Sequence, residues 1–425
     1  MEALVYILIL VMAVLGTPIF AVMSAIALFA FTMADIDTSA VPIEIYRIAA
    51  QPTLLTIPLF TFAGYLMAES GSPTRLLRLA RAAFGWLPGG IAIVSLIICA
   101  FFTAFTGASG VTIIALGGLL YPILRQEGFS ERFSLGLVTT SGSLGLLFPP
   151  SLPIILYGLV ARVDIDKLFL AGIIPGILLI VILSGWAVAQ GRDKPVTTPL
   201  QEQPKFSLQE LWQAARGARY EIPLPILVLT GIYGGYTTAS EASAFTAAWA
   251  LLMGTVLYKD VHPIRDLPRI IRESMTLVGA ILLILCCALG VTNYLVDEEI
   301  PMQILAFIKQ HVDSKLVFLI YLNIFLLVVG SLMDIFSAII IVVPLIVPIA
   351  TSFGVHPVHL AVIFLTNLEI GYITPPVGLN LFISSFRFGK PVTTLYRASL
   401  PYLLLLIIAL LIITYVPLLS LFLVE

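Results

Sequence analysis

Charged side chains are scarce in this chain. Asp, Glu, Lys and Arg make up 11% of its 425 residues, whereas apolar residues make up 60%. A soluble globular chain carries roughly a quarter charged residues, so this composition excludes a protein whose whole surface faces water. The net charge of −2 gives no indication of a nucleic-acid partner. The sequence therefore predicts an all-α polytopic protein embedded in a lipid bilayer.

Metal-site and catalytic motifs are also missing. The three cysteines, Cys99, Cys286 and Cys287, lie in apolar segments without metal-ligand spacing. The sequence contains neither a GxxxxGK[ST] phosphate-binding loop nor an HExxH zinc motif. Residues 88–163 include no His or Lys that could activate a nucleophile. We therefore predict that the chain is not an enzyme.

An uncharged stretch from Ala82 to Leu124 indicates a hairpin. As a single helix it would be roughly 65 Å long, about twice the hydrocarbon thickness of a bilayer. Arg81 and Arg125 flank it, and arginine favours the cytoplasmic side. An even number of passes or a re-entrant hairpin fits both facts. We expect an inward-opening hairpin over about 88–127, with its tip within Phe105–Val111.

A second uncharged stretch, Phe133–Ala161, is interrupted in its middle. Pro149 and Pro150 remove two backbone donors and block helix geometry before them. This pattern predicts one broken helix over about 133–163, made of two half-helices.

The segment from Arg192 to Glu221 is polar, with nine charges in 30 residues. Five of the nine are basic, which predicts a cytoplasmic connector over 192–221. Its Ser207–Arg219 part has the pattern of an amphipathic helix. The connector divides the chain into two halves, 1–191 and 222–425.

The two halves resemble each other at a constant offset. When the sequence is shifted by 226 positions, Gly145 meets Gly371 and the pair Pro149-Pro150 meets Pro375-Pro376. The doubled proline predicts an internal duplication. The second half is then expected to contain a hairpin over about 315–352, with its tip at Gly330–Ser337, and a broken helix over about 358–386.

Charge bias predicts opposite orientations for the two repeats. Acidic residues 297–299 precede the second hairpin, which is expected to open outward. The basic residues Arg387, Lys390 and Arg397 follow its broken helix. Two inverted repeats, each with a re-entrant hairpin and a broken helix, are typical of secondary transporters.

Four polar breaks interrupt the apolar helices, at 107–112, 141–150, 330–337 and 369–380. Unwound backbone at membrane depth is tolerated only where it lines a cavity or is buried in protein. Its carbonyl and hydroxyl oxygens suit a bare cation such as Na⁺, and half-helix N-termini suit an anion. A site that takes both ions together performs symport. The alternative, that the breaks are only kinks with small packing residues, stays open.

Two acidic residues fall at the predicted breaks of the second half. Asp334 is the only charged residue between Lys315 and Glu369. An intramembrane carboxylate is a functional candidate by default, and we favour a helix cap or ion support over a direct ligand. Glu369 is expected to act similarly, whereas His359 is predicted to lie in a surface loop.

Three segments carry a resemblance to a known family: Gly231–Phe245, Gly330–Ala350 and Asn367–Ser384, which contains TPPVGLN. They resemble the large membrane subunit of tripartite ATP-independent periplasmic (TRAP) transporters. The resemblance implies an elevator-type fold shared with Na⁺-coupled anion transporters in the bacterial inner membrane. It also implies two partners, a small four-helix membrane subunit and a periplasmic substrate-binding protein.

The resemblance also implies two sets of Na⁺-binding residues. The first hairpin and broken helix supply Gly107, Ser109, Gly110, Thr112, Ser141 and Gly142. The second hairpin and broken helix supply Gly330, Met333, Asp334, Thr374 and Pro375. After Asp334 the family often has Thr-Pro, and here Ile335, Phe336 and Ser337 follow instead. We expect the substrate to meet amide and hydroxyl donors at Ser109, Ser143, Ser337, Gly378 and Asn380.

The function predicted from these observations is Na⁺-coupled symport of a small organic anion. A C4-dicarboxylate and a sugar acid both fit, because no arginine lies at a break to select a carboxylate geometry. Two alternatives stay open: a symporter that works without partners, and an anion channel with paired re-entrant loops.

Overall fold

The computed structural model describes residues 17–33, 52–87, 89–192, 206–312 and 314–424, together with scattered positions before residue 47. Every regular element within these ranges is helical. The prediction of an all-α protein is confirmed.

Eight α-helices are described before the connector, with short 3₁₀ turns at Pro52–Leu55 and Leu144–Leu147. They are α1 (Ile19–Met33), α2 (Thr56–Glu69), α3 (Ser72–Phe84), α4 (Gly90–Thr106), α5 (Ser109–Gln126), α6 (Glu131–Ser141), α7 (Leu152–Ala161) and α8 (Ile165–Arg192).

The connector contains α9 (Leu208–Gly217), which begins where the Ser207 hydroxyl accepts a hydrogen bond from the backbone N–H of Glu210. The helices that follow are α10 (Pro223–Tyr233), α11 (Ala239–Leu252), α12 (Leu267–Asp297), α13 (Ile300–His311), α14 (Lys315–Leu332), α15 (Ile335–Ser352), α16 (Pro357–Gly371), α17 (Leu379–Phe388), α18 (Val392–Tyr415) and α19 (Leu418–Leu421).

The helix boundaries of the two halves follow the same spacing. Ser109 and Ile335, the first residues of α5 and α15, are 226 positions apart, and so are the last residues, Gln126 and Ser352. Both halves therefore place a hairpin of two helices before a helix that breaks.

Five helices within the described ranges are long and apolar enough to cross a membrane. They cover Ile165–Gln190, Leu267–Leu295, Lys315–Leu332, Ile335–Ser352 and Val392–Tyr415. A sixth span results if Glu131–Leu147 and Leu152–Ala161, which are bent by 44° at their break, count as one. The chain is a multi-pass membrane protein, as its composition predicts.

The halves interlock at their centre. The hairpin helix α5 packs on α17 of the other half, α15 packs on α7, and α6 packs on α18. A second group of helices, α1, α2, α11 and α12, packs together beside this centre. The largest cluster of buried apolar side chains draws on both halves, so each half completes the core of the other.

An ion-pair cluster ties α3 to the connector. The Glu221 carboxylate is completely buried and accepts hydrogen bonds from Arg75, from Ser72 at 3.1 Å and from Tyr258 at 2.8 Å. Arg75 also pairs with Asp260 at 2.7 Å and lies 3.6 Å from the centre of the Tyr258 ring. Burial and the hydrogen bond to Glu221 raise the pKa of Tyr258 to about 12, so its hydroxyl remains a donor at neutral pH.

The prediction that His359 lies in a surface loop is wrong. α16 begins at Pro357 with His356 as its cap, so His359 falls within the first turn of a buried helix. Its Nδ1 lies 2.6 Å from the Ser420 hydroxyl and its Nε2 lies 3.2 Å from the Thr414 carbonyl oxygen. The ring joins α16 to the end of the chain's last long helix.

Candidate functional site

The first hairpin turns at Gly107, within the predicted tip. Gly107 has a positive φ of 64°, and its N–H donates to the Thr103 carbonyl at 2.8 Å, which ends α4. A Cβ on this residue would lie 2.5 Å from the Cβ of Leu152. Only glycine combines this backbone conformation with this close approach. The chain extends through Ala108, and α5 starts at Ser109.

The first tip is bound to the break of its own half by one hydroxyl. The Thr103 hydroxyl lies 2.7 Å from the Gly142 carbonyl oxygen and 2.8 Å from the Thr112 hydroxyl, and all three groups are buried. Gly142 also lies close to the Ser109 carbonyl, because a Cβ built on it would be 3.3 Å from that oxygen. The structure thus brings together Ser109, Thr112 and Gly142. Sequence reasoning missed Thr103.

Two other residues of the first predicted Na⁺ set lie differently. Gly110 faces the second half, since a Cβ there would lie 2.7 Å from the Ile383 side chain. The Ser141 hydroxyl bonds within its own helix, to the Val138 carbonyl at 3.2 Å. Ser141 is the last residue of α6, next to Gly142, so it stays at the break.

The second tip is capped by a carboxylate. One oxygen of Asp334 accepts hydrogen bonds from the N–H groups of Phe336 and Ser337, both at 3.0 Å, and the other accepts from the Ser337 hydroxyl at 2.6 Å. The N–H of Ile335 donates to the Tyr372 hydroxyl at 2.8 Å. The first-turn donors of α15 are therefore occupied. Asp334 is a helix cap, one of the two roles that the sequence analysis favoured.

The second break runs from the end of α16 to the start of α17. Gly371 packs directly on Gly330 of the tip, where a Cβ on Gly371 would lie 2.4 Å from the Gly330 carbonyl carbon. The Gly378 N–H donates to the Ser331 carbonyl at 3.1 Å. These contacts join the tip to the break. The Thr374 hydroxyl, next to Pro375, bonds the Ile370 carbonyl at 2.8 Å, and no described contact joins it to Met333.

The predicted substrate residues do not form one described cluster. The Ser337 hydroxyl is engaged by Asp334, and Ser109 and Gly378 belong to separate tips and breaks. Asn380, by contrast, crosses between halves, where its Nδ2 donates to the Thr139 carbonyl at 3.3 Å. Ser143 also crosses, and its hydroxyl lies 3.5 Å from the Glu369 carbonyl oxygen.

Broken helices of this kind are typical of secondary transporters. The fold resembles that of the Alcanivorax borkumensis YdaH transporter, with a TM-score of 0.57 over 88% of this chain and 86% of that one. Sequence identity is 13%, so this likeness concerns the fold alone.

Sequence comparison identifies the family. The family model described as tripartite ATP-independent periplasmic transporter, DctM component, matches residues 5–419, and the chain belongs to this family. It is 35% identical to the C4-dicarboxylate TRAP transporter large permease protein of Pseudomonas aeruginosa, over 89% of this chain and 88% of that protein. The corresponding Vibrio cholerae protein is 32% identical, over 98% and 95%.

A relative named for another substrate also matches. The sialic acid TRAP transporter large permease protein of Vibrio cholerae is 30% identical, over 88% of this chain and 86% of that protein. The resemblance drawn from the sequence is confirmed. Because these relatives are transporter permeases, the prediction that the chain is not an enzyme is confirmed too.

Proposed function

We propose that this chain carries out Na⁺-coupled symport of a small organic anion across the bacterial inner membrane, as the large membrane subunit of a TRAP transporter. The observation that carries the proposal is the pair of hairpin tips. At each tip a helix starts, and each tip lies against the break of a broken helix. Relatives are named for C4-dicarboxylates and for sialic acid, and the substrate proposed here is of that class, a dicarboxylate or a sugar acid.

Coupling to Na⁺ is supported by the chemistry of the tips. Around the first tip, Ser109, Thr112, Ser141 and Gly142 offer neutral hydroxyl and carbonyl oxygens in a buried setting. Oxygens of this kind replace the hydration shell of a bare monovalent cation. Around the second tip, Asp334 adds a negative charge immediately before the first residue of the helix that starts there.

The first tip is better suited than the second to bind the substrate anion. No side chain caps the start of α5, where Ala108 is the residue before the helix. At the start of α15 the backbone donors are held by Asp334 and Tyr372, and the Asp334 charge repels an anion. A carboxylate is therefore expected at the N-terminus of α5, near Ser109.

Transport is proposed to occur by elevator motion. The interlocked centre, with the two hairpins and both broken helices, forms the moving unit, and the group of α1, α2, α11 and α12 forms the scaffold. The exposed apolar surface of a scaffold fits a small four-helix membrane subunit, and a periplasmic substrate-binding protein is proposed to deliver the anion.

Uptake into proteoliposomes tests this proposal. A panel of labelled organic acids is offered to the chain alone and to the chain with a small subunit and a binding protein, each with and without an inward Na⁺ gradient. Uptake that requires all components and Na⁺ is expected. Uptake by the chain alone would instead establish an independent symporter, and flux without Na⁺ dependence or saturation would establish a channel.

A further inference from the structure

Glu369 is a buried carboxylate that the two tips do not use. It lies on α16, two residues before the helix ends at the second break, and none of its surface is exposed. Neither Oε1 nor Oε2 has a hydrogen-bond partner among the described residues. A lone ionised carboxylate within a membrane protein is costly, so its charge requires a neutralising partner.

Further unpartnered oxygens lie where the two broken helices meet. We call this region, which includes Glu369, Thr140, Ser143 and Asn380, the junction. The Thr140 hydroxyl and the Asn380 side-chain carbonyl oxygen are buried and have no partner in the described ranges. The Ser143 hydroxyl lies 3.3 Å from the Thr140 carbonyl and 3.5 Å from the Glu369 carbonyl. Asn380 donates to the Thr139 carbonyl, next to Thr140. Four unpartnered oxygen atoms thus belong to residues of this junction: both carboxylate oxygens of Glu369, the Thr140 hydroxyl and the Asn380 side-chain carbonyl oxygen.

No positively charged side chain of the described neighbouring helices bonds this carboxylate. The helices packed against α16 include α7, α8, α14, α15, α18 and α19. Their described ionisable side chains, with those of α16 itself and the adjoining residues, are Tyr157, Asp166, Lys167, Lys315, Tyr321, Asp334, His356, His359, Tyr372, Tyr396, Arg397, Tyr402 and Tyr415. None of them makes a hydrogen bond to the Glu369 carboxylate.

We propose that Glu369 is a further cation-binding position, which takes up one monovalent cation, a proton or Na⁺, at the junction of the two broken helices. A proton would bond to one Oε atom. A Na⁺ ion would be held by the carboxylate with neutral oxygens of the junction. Glu369 belongs to neither of the two predicted Na⁺ sets, and the inference rests on the proposed function only in that the bound cation is carried with the substrate.

The thermal unfolding of the purified chain in detergent tests this inference without any substrate. A cation that binds only the folded state raises the midpoint as its concentration rises. Wild type and Glu369→Gln are compared in Na⁺ titrations balanced with choline, at acid, neutral and alkaline pH. Glu210→Gln is the matched control, because Glu210 is an exposed glutamate on α9.

If the ligand is Na⁺, Glu369→Gln loses part of the Na⁺-induced rise, and the control keeps all of it. If the ligand is a proton, the wild-type midpoint falls as pH rises and Glu369→Gln removes that fall. Identical Na⁺ and pH responses in wild type and Glu369→Gln would overturn the inference, even where the wild-type Na⁺ response supports Na⁺ symport. Conversely, the unfolding midpoint could respond to pH only when Glu369 is present and not respond to Na⁺ in wild type. That result would contradict Na⁺ coupling but support this site.

A second variant covers the case in which Glu369→Gln does not fold. Glu369→Asp keeps the charge but draws the carboxylate back by one methylene. It is expected to fold and to need a higher Na⁺ concentration, or a lower pH, for the same rise in midpoint. A wild-type response from Glu369→Asp would count against the proposal.

Discussion

The hydroxyl of Ser143 lies 3.5 Å from the backbone carbonyl oxygen of Glu369, and 226 positions separate the two residues. The same offset relates the helix boundaries of the two halves. The halves therefore touch at equivalent positions of their broken helices. A residue at this contact therefore packs against both halves.

Substitutions at Asp334 distinguish its role as a helix cap from the effect of its negative charge. Asp334→Asn should keep the start of α15, because asparagine caps a helix about as well as aspartate. Without the charge, we expect the Na⁺ concentration for half-maximal uptake to rise about tenfold, which corresponds to ~1.4 kcal/mol. Asp334→Ala should lose the cap as well, at a cost of about 0.5–2 kcal/mol in stability. Wild-type Na⁺ dependence in Asp334→Asn would remove this carboxylate from the ion site.

Thr103 is expected to hold the first tip to its break. Thr103→Val keeps the shape but leaves the buried Gly142 carbonyl without its donor, which costs about 1–3 kcal/mol. Na⁺ affinity at the first tip should fall, and Thr103→Ser, which keeps the hydroxyl, should restore it. The measurement is Na⁺-dependent uptake of both variants. Equal uptake by the Val and Ser variants would mean that the hydroxyl is dispensable.

Gly371 is expected to admit no side chain. Gly371→Ala would place a methyl group against the backbone of Gly330, and overpacking of this kind costs about 1–3 kcal/mol. We expect a lower unfolding midpoint and loss of uptake, since the second tip is displaced. Gly279→Ala is the control, because nothing lies within 4 Å of its Cβ position on α12; it should leave stability unchanged or raise it by up to about 1 kcal/mol.

The Arg75–Glu221 pair gives a prediction outside the transport site. Arg75→Leu leaves the fully buried Glu221 carboxylate without its cation, which should destabilise the chain by about 3–5 kcal/mol. Adding Glu221→Gln should recover part of this loss, since it removes the unpaired charge and its amide oxygen can still accept from either Ser72 or Tyr258, which bond different oxygens of the carboxylate. A double-mutant cycle in thermal unfolding measures the coupling. Arg78→Leu, at an exposed position of the same helix, should change stability by no more than ~0.5 kcal/mol.

The local features of the fold could be predicted because they depend on short stretches of sequence. The tip at Gly107 follows from glycine within a charge-free stretch too long for one span, and the connector helix follows from its amphipathic pattern and Ser207. A helix cap was one of the roles expected for Asp334, because a lone carboxylate at a break within an apolar segment is a functional candidate. Each of these inferences needs only one continuous stretch of sequence.

The contacts that sequence reasoning missed join distant positions. Thr103 and Tyr372 look like ordinary apolar-segment residues until folding places them against Gly142 and Ile335. The pair Arg75–Glu221 spans 146 positions, and no periodicity marks it. His359 was misplaced because the proline before it was taken to mark a loop, whereas proline is also favoured in the first turn of a helix.

The interlocking of the two halves has a consequence for how the chain is made. The Thr139 hydroxyl of α6 bonds the Ser384 hydroxyl of α17, 245 positions later in the chain. At ~5–20 residues per second of synthesis, α17 is made on the order of tens of seconds after α6, and this hydrogen bond cannot form before then. During that time the buried hydroxyls of the first half face lipid or the insertion machinery. A chain that stops before α17 leaves the Thr139 hydroxyl without this partner.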